Sequence, residues 1–304
     1  MYYRRKLLLA ILEQCKGKSL PKLNFQKILF LISQKQTHPS YQFVPYKYGC
    51  YSFQADEDLR ILSTHYNLVI NKDTTSSNNK SWQLAPSLNK GRNNYEHSLT
   101  PSDRAAVTHI FKEFAVFNSN LLVDYTYENA PYYAINTQRK ISRDQKRLID
   151  QERKKITHQN KKVLFSIGYE GVSIDAYLNN LIENNIALLV DVRNNPWSRK
   201  YDFTKNKLMA YCEKLGIAYI HIPALGIASA DRKGLPTVQA YQKLFKKYEK
   251  NLPKRTEALT DLKYQLDKHN RIALTCFEKE PTHCHRHVLT TYFNTTHNIT
   301  VMHL

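Results

Sequence analysis

The chain has 304 residues, 42% of them hydrophobic: enough for a sizeable core and too many for one small domain, so two domains are expected. Lys and Arg outnumber Asp and Glu by 45 to 26, a formal charge of +19, which points to a polyanionic partner. With 8 Gly and 21 Tyr, the composition excludes collagen-like, low-complexity and glycine-rich phosphate-loop architectures.

No apolar run approaches the ~20 residues that span a bilayer, so no membrane partner is expected. The first residues place Arg4, Arg5 and Lys6 before a short apolar stretch, Leu7 to Leu12. Glu13 and Gln14 follow where a signal peptide would carry small residues, so this reads as a first amphipathic helix. Cys15, Cys50, Cys212, Cys276 and Cys284 are odd in number and form no CxxC pair, which suits free thiols and a cytoplasmic location.

Residues 1–135 read as a mainly helical, winged-helix-like domain that binds nucleic acid or a protein partner. Leu7 to Leu12 and Phe25 to Ile32 have helical apolar content. Residues 41–53 alternate as an extended or strand–turn segment, and Trp82 and Leu84 alternate like a short strand. Leu59, Leu62 and Tyr66 mark a helix after an acidic turn, Asp56-Glu57-Asp58, and further helices are expected over 102–116 and 119–127. Leu23, Lys27, Leu29 and Phe30, followed by Tyr46-Lys47-Tyr48-Gly49, resemble the Panacea (SocA-like) antitoxin-associated domain, with Cys50 where that family has Pro. The resemblance implies a module that binds another macromolecule in phage- or toxin-related systems.

Residues 136–162 hold ten basic and three acidic residues and no Gly or Pro. Ile141, Leu148, Ile149 and Ile156 recur near every seventh position, which predicts a basic linker helix with a narrow apolar stripe. It is either a solvated connector or a helix lying along phosphates through Arg153, Lys154 and Lys155.

From 163 onward strands and helices alternate. Strands are expected at 163–169, 186–192, 217–222, 272–277 and 299–303, and helices at 174–182, 206–215, 238–248, 257–269 and 283–293. The alternation predicts an α/β domain over 163–304 with an open, mainly parallel, Rossmann-like sheet. In such sheets the ligand cleft lies beyond the carboxyl ends of the strands. Four strand ends are rich in reactive groups: Tyr169-Glu170; Asp191 with Arg193, Trp197, Arg199 and Lys200; His221; and Cys276 with Glu278, Cys284, His285 and Arg286.

The stretches 166–171, 191–203, 219–226 and 276–286 resemble, in order, motifs of the domain-of-unknown-function-488 family. That resemblance implies an α/β fold and an association with nucleic-acid modification or defence gene neighbourhoods.

Asp191, Glu278 and Glu170 are candidate catalytic carboxylates, since two carboxylates across a cleft can divide acid and base work. Asp191 could equally brace its loop by pairing with Arg193. Arg193, Arg199, Lys200 and Arg286 fit phosphate binding, with His221 and His285 beside them. Tyr169 and Trp197 offer flat faces for a base, although Trp197 could simply cap the core. Cys276, His283, Cys284, His285 and His287 raise metal binding, but the spacing lacks two close pairs, so no metal and no cofactor is expected. Cys284-His285-Arg286 resembles the Pro-Cys-His-Arg of alkylguanine-DNA alkyltransferases, with His283 at the Pro position, which makes Cys284 a candidate nucleophile.

The reading that follows is a nucleic-acid-processing enzyme, acting on a DNA base or its N-glycosidic bond. The alternatives are a non-catalytic DNA-binding regulator or antitoxin-like adaptor, and cysteine-dependent alkyl or thiol transfer.

Overall fold

The computed structural model describes residues 1–72, 80–86, 94–114, 117–157, 161–232 and 237–304. The chain divides into two compact units, Met1–Lys154 and Lys155–Leu304. Among the described residues no helix is long and apolar enough to cross a membrane.

The first unit is mostly helical. Its elements are α1 (Tyr3–Gln14), β1 (Leu20–Pro21), α2 (Lys22–Lys35), β2 (Val44–Tyr46), β3 (Gly49–Tyr51), α3 (Phe53–Thr64), β4 (Val69–Lys72), β5 (Ser81–Leu84), α4 (Pro101–Phe114) and α5 (Ser119–Asn129), followed by α6 (Arg143–Thr157), which runs across the division. Strands β1, β5 and β4 form an antiparallel sheet in that order. Helix, strand, two helices and two strands around such a sheet is a winged-helix-like arrangement, with the β2–β3 hairpin inserted between α2 and α3. The core is built from α1 and α2, whose residues from Leu7 to Leu12 and from Phe25 to Ile32 are buried.

Helix α3 begins earlier than its acidic residues suggest. Ser52 caps it by accepting a hydrogen bond from the Ala55 amide at 3.2 Å, so Asp56, Glu57 and Asp58 lie inside the helix. Asp58 is buried, and it pins α1 through Arg4 and Arg5, each at 2.6 Å, with the Tyr41 hydroxyl at 3.0 Å. A charge there is tolerable because it is fully paired.

The helical part of the expected linker is α6. Within the first unit, Gln145 donates to Asp124 at 3.0 Å, Ile149 is fully buried, and Arg153 donates to the Ile135 carbonyl at 2.7 Å and to Asp150 at 3.1 Å. Arg153 therefore ties α6 to the segment before it as well as to its own helix, whereas Lys154 and Lys155 are exposed. Residues 158–160 of the expected linker lie outside the described residues.

The second unit alternates β6 (Val163–Gly168), α7 (Ile174–Glu183), β7 (Leu188–Asp191), α8 (Lys205–Lys214), β8 (Ala218–His221), α9 (Val238–Asn251), α10 (Thr256–His269), β9 (Arg271–Cys276), α11 (His285–His297) and β10 (Thr300–His303). The five strands are all parallel, in the order β10-β6-β9-β7-β8. Strands β6, β7 and β9 are buried along their whole length, which explains their continuous apolar runs. Local signals set the helix ends. Ser173 caps α7 by accepting from the Ala176 amide at 3.1 Å, and Gly216, at φ +72°, makes the left-handed turn after α8.

Candidate active site

Parallel pairing brings the reactive strand ends to one edge. Gly168 pairs with Cys276, Thr275 with Asp191, and Asp191 with His221, so β6, β9, β7 and β8 finish within one rung of each other. The chain leaves this edge in loops, and two of them need glycine. A Cβ on Gly168 would sit 1.9 Å from the Glu278 carbonyl oxygen, and one on Gly226 would sit 2.2 Å from the Asn194 amide nitrogen. The absent side chains let the β9 loop cross β6 and the β8 loop cross the β7 loop.

Between these loops lies a cavity of about 470 Å³ lined by Tyr169, Arg193, Trp197, Arg199, Cys276, Phe277 and Glu278, among others. Asp191 stands behind it with no exposed surface. Its Oδ2 accepts from Arg193 Nη2 at 2.5 Å and from the Tyr219 hydroxyl at 2.6 Å. Its Oδ1 accepts from Arg193 Nε at 2.8 Å and from the Arg193 amide at 3.1 Å. Together these bonds occupy both oxygens of the side chain. Burial acts against the charge of Arg193, but Asp191 more than compensates and holds the guanidinium protonated. Burial and the adjacent carboxylate both push the Tyr219 hydroxyl well above the usual phenol range.

Arg193 spends its remaining nitrogen on the Tyr169 hydroxyl and the Phe203 carbonyl, both at 2.8 Å. Tyr169 is buried, stacked on Phe203 at 4.5 Å and 8° and met edge-on by Phe277. Its flat face is thus covered, and it serves as a wall. Trp197, by contrast, is 67% exposed. Phe277 is also exposed at the cavity; sequence reasoning passed over it, although its place directly after a reactive strand end was a usable signal.

The other candidates divide between bracing and exposure. Lys200 Nζ donates to the carbonyls of Tyr169 and Val172 at 3.1 and 3.0 Å, tying the β7 loop to the β6 loop. The His221 ring donates from Nε2 to the Arg193 carbonyl at 2.8 Å. Glu170 accepts from the Lys279 amide at 3.1 Å. Arg286 is fully buried and donates to the Glu278 carbonyl at 2.5 Å and to Cys284 Sγ at 3.4 Å, while its Nη1 has no hydrogen-bond partner among the described residues. Arg199 and Glu278 reach the cavity with exposed or half-exposed side chains.

Cys276, Cys284 and His285 form a buried group beneath Glu278, whose Oε2 lies 3.3 Å from Cys276 Sγ. Burial pushes the Cys284 thiol up, as do Cys276 and Glu278; Arg286 pulls it down less strongly. His283 is exposed, and His287 turns its Nδ1 to the Cys284 carbonyl at 2.6 Å, so neither joins the group.

Residues 173–293 match the family described as Domain of unknown function DUF488. No curated protein matches the chain significantly.

Proposed function

We propose that the C-terminal unit is an enzyme that processes nucleic acid, with DNA as substrate, acting on a base or its N-glycosidic bond. The observation that carries this reading is the cavity at the carboxyl edge, where exposed Trp197 and Arg199 share a wall system with the Glu278 carboxylate. A base worked on by an enzyme leaves the stack or comes from a single strand, and it needs a flat apolar face to replace its neighbours. Trp197 supplies that face, with Phe277 beside it; stacking of this kind contributes ~1–3 kcal/mol per base. Arg199 fits the phosphate of the extruded nucleotide. Glu278 takes a proton from attacking water or offsets positive charge developing on the sugar. Asp191 is a positioning residue that orients Arg193, which in turn holds the β7 loop. The +19 charge supplies sequence-independent attraction to phosphates.

The test is to incubate the protein with single-stranded and duplex DNA carrying modified and unmodified bases, and to measure free base and abasic sites. Product is expected, with a loss of about 10²–10⁴-fold in Glu278→Gln at unchanged DNA binding. Intact binding with no product from any DNA overturns the reading.

A second reading, a non-catalytic nucleic-acid-binding regulator or adaptor, is favoured by a specific feature of the N-terminal unit. A cavity of about 510 Å³ there is lined by Lys22, Lys47, Lys80 and Tyr46, Tyr48 and Tyr51, a basic and aromatic surface suited to an anionic partner. Under this reading Glu278→Gln leaves the cellular phenotype of the protein intact.

A further inference from the structure

Strand β9 ends on Cys276, and Cys284 is the residue before α11, so a short loop returns the second sulfur to the first. His285 follows immediately. All three residues are buried, and their two Sγ atoms and one ring nitrogen lie within 4.8 Å of one another. The ring is oriented from behind: Nε2 is 3.1 Å from the Val192 carbonyl, an acceptor only, so Nε2 carries the hydrogen. Nδ1 is left with its lone pair directed among the sulfurs, at 3.9 Å from Cys276 Sγ and 3.7 Å from Cys284 Sγ. A carbonyl that fixes the far nitrogen is the outer support that metal-binding histidines use.

The two S···N distances suit hydrogen bonds between the thiols and the ring, and they also suit a shared metal. Metal–sulfur bonds of about 2.3 Å and metal–nitrogen bonds of about 2.0–2.1 Å at tetrahedral angles give S···N edges of about 3.6 Å and an S···S edge of about 3.8 Å. The observed S···N distances exceed the first by only a few tenths of an ångström, and the two sulfurs, within 4.8 Å of each other, close by up to about 1 Å to reach the second. Arg286 Nε, 3.4 Å from Cys284 Sγ, is a charged donor suited to a thiolate. Two thiolates cancel a divalent cation, so filling the site adds no net charge to a buried place.

We propose that Cys276, Cys284 and His285 bind one divalent transition metal, zinc by ligand type, with a water in the fourth position beside Glu278. Two thiolates and an imidazole select zinc over the hard cations. Three protein ligands and an open corner are the pattern of sites that act on substrate rather than only hold a fold. Glu278, on the cavity wall and 3.3 Å from Cys276 Sγ, is the group placed to take the proton of that water. The occupancy of the site stands on the three ligands alone; the role of its water rests on the base-processing reading above. The spacing C-x₇-C-H conceals the site in the sequence, because the ligands meet across a strand end and a helix start and not within one tight turn.

The experiment uses the full chain, freed of any affinity tag and reconstituted with zinc, then exchanged to cobalt(II). One zinc per chain is expected, with the thiolate-to-cobalt charge-transfer band in the near ultraviolet and the intense visible bands of four-coordinate cobalt. Cys284→Ser and His285→Gln should each lower zinc affinity by at least 100-fold with circular dichroism unchanged, while Glu278→Gln keeps one zinc per chain. Should those variants fail to fold, the wild-type cobalt spectrum decides alone. Absence of bound metal after reconstitution, a cobalt spectrum without the thiolate band, or a Cys276–Cys284 disulfide by intact mass overturns the proposal. A loaded site with no product from any DNA overturns the base-processing reading and leaves the metal site standing.

Discussion

Both oxygens of Asp191 are taken up by Arg193 and Tyr219, and this decides what the residue can do. A carboxylate with no exposed surface and no vacant acceptor holds a loop; it does not meet a water. Asp191→Asn leaves the Arg193 guanidinium buried without its counter-charge, and unfolding free energy should fall by about 3–5 kcal/mol, read from the urea midpoint at constant slope. Gly168→Ala places a methyl against the Glu278 carbonyl, so the β9 loop must shift. A loss of about 1–3 kcal/mol is expected by the same measurement, together with lower affinity at the cavity. The sequence made the pairing of Asp191 with Arg193 legible because the two are neighbours in the chain. Tyr219 was not legible as its partner, since it belongs to the adjacent strand and its reach depends on register. The covering of Tyr169 by Phe203 was hidden because it depends on how the loop after β7 folds back over the β6 end.

Helix α6 shows how a basic stretch can be divided between docking and solvent. Ile149 is fully buried within the first unit, so Ile149→Ala should cost about 2–5 kcal/mol in urea unfolding. Arg153→Gln should also lower stability through its lost bond to the Ile135 carbonyl, whereas Lys154→Gln should not. Buried thiols set an alkaline limit at the same scale. Burial in α8 pushes Cys212 from 9.0 up to about 12. The unfolded chain therefore releases this proton first as pH rises. The stabilisation is complete below pH 9 and declines from there toward 12, by at most about 1.4 kcal/mol per pH unit. Thermal unfolding between pH 8 and 10.5 should show the decline, and Cys212→Ala should lessen it, leaving the part due to other buried thiols such as Cys50. Period and composition exposed every strand and α-helix of the second unit, with ends within four residues, and the three fully buried strands were the plainest because they read as near-continuous apolar runs. The start of α3 was misplaced because its cap, Ser52, precedes an aromatic rather than the acidic turn.

At the scale of the whole molecule, the +19 charge is tested by salt. If DNA is the partner, affinity should fall with a log–log slope of about −0.9 per phosphate contact on duplex and about −0.7 on single strands. Arg199→Gln should flatten the single-strand slope by about 0.7; binding that ignores salt would remove nucleic acid as the explanation of the charge. The strand order carries a different consequence, for synthesis. Strand β9 lies between β6 and β7 yet follows both in the chain, so the centre of the sheet is filled late. At about 5–20 residues per second, the ribosome needs roughly 4–17 s to go from Asp191 to Cys276. During that interval β6 and β7 leave the exit tunnel with an empty slot between them and unpaired edges facing it, the condition that invites wrong pairing. A nascent chain arrested at His269 should leave its second unit open to protease while the first resists digestion. Newly made protein, more than finished protein, is then the form that depends on chaperones.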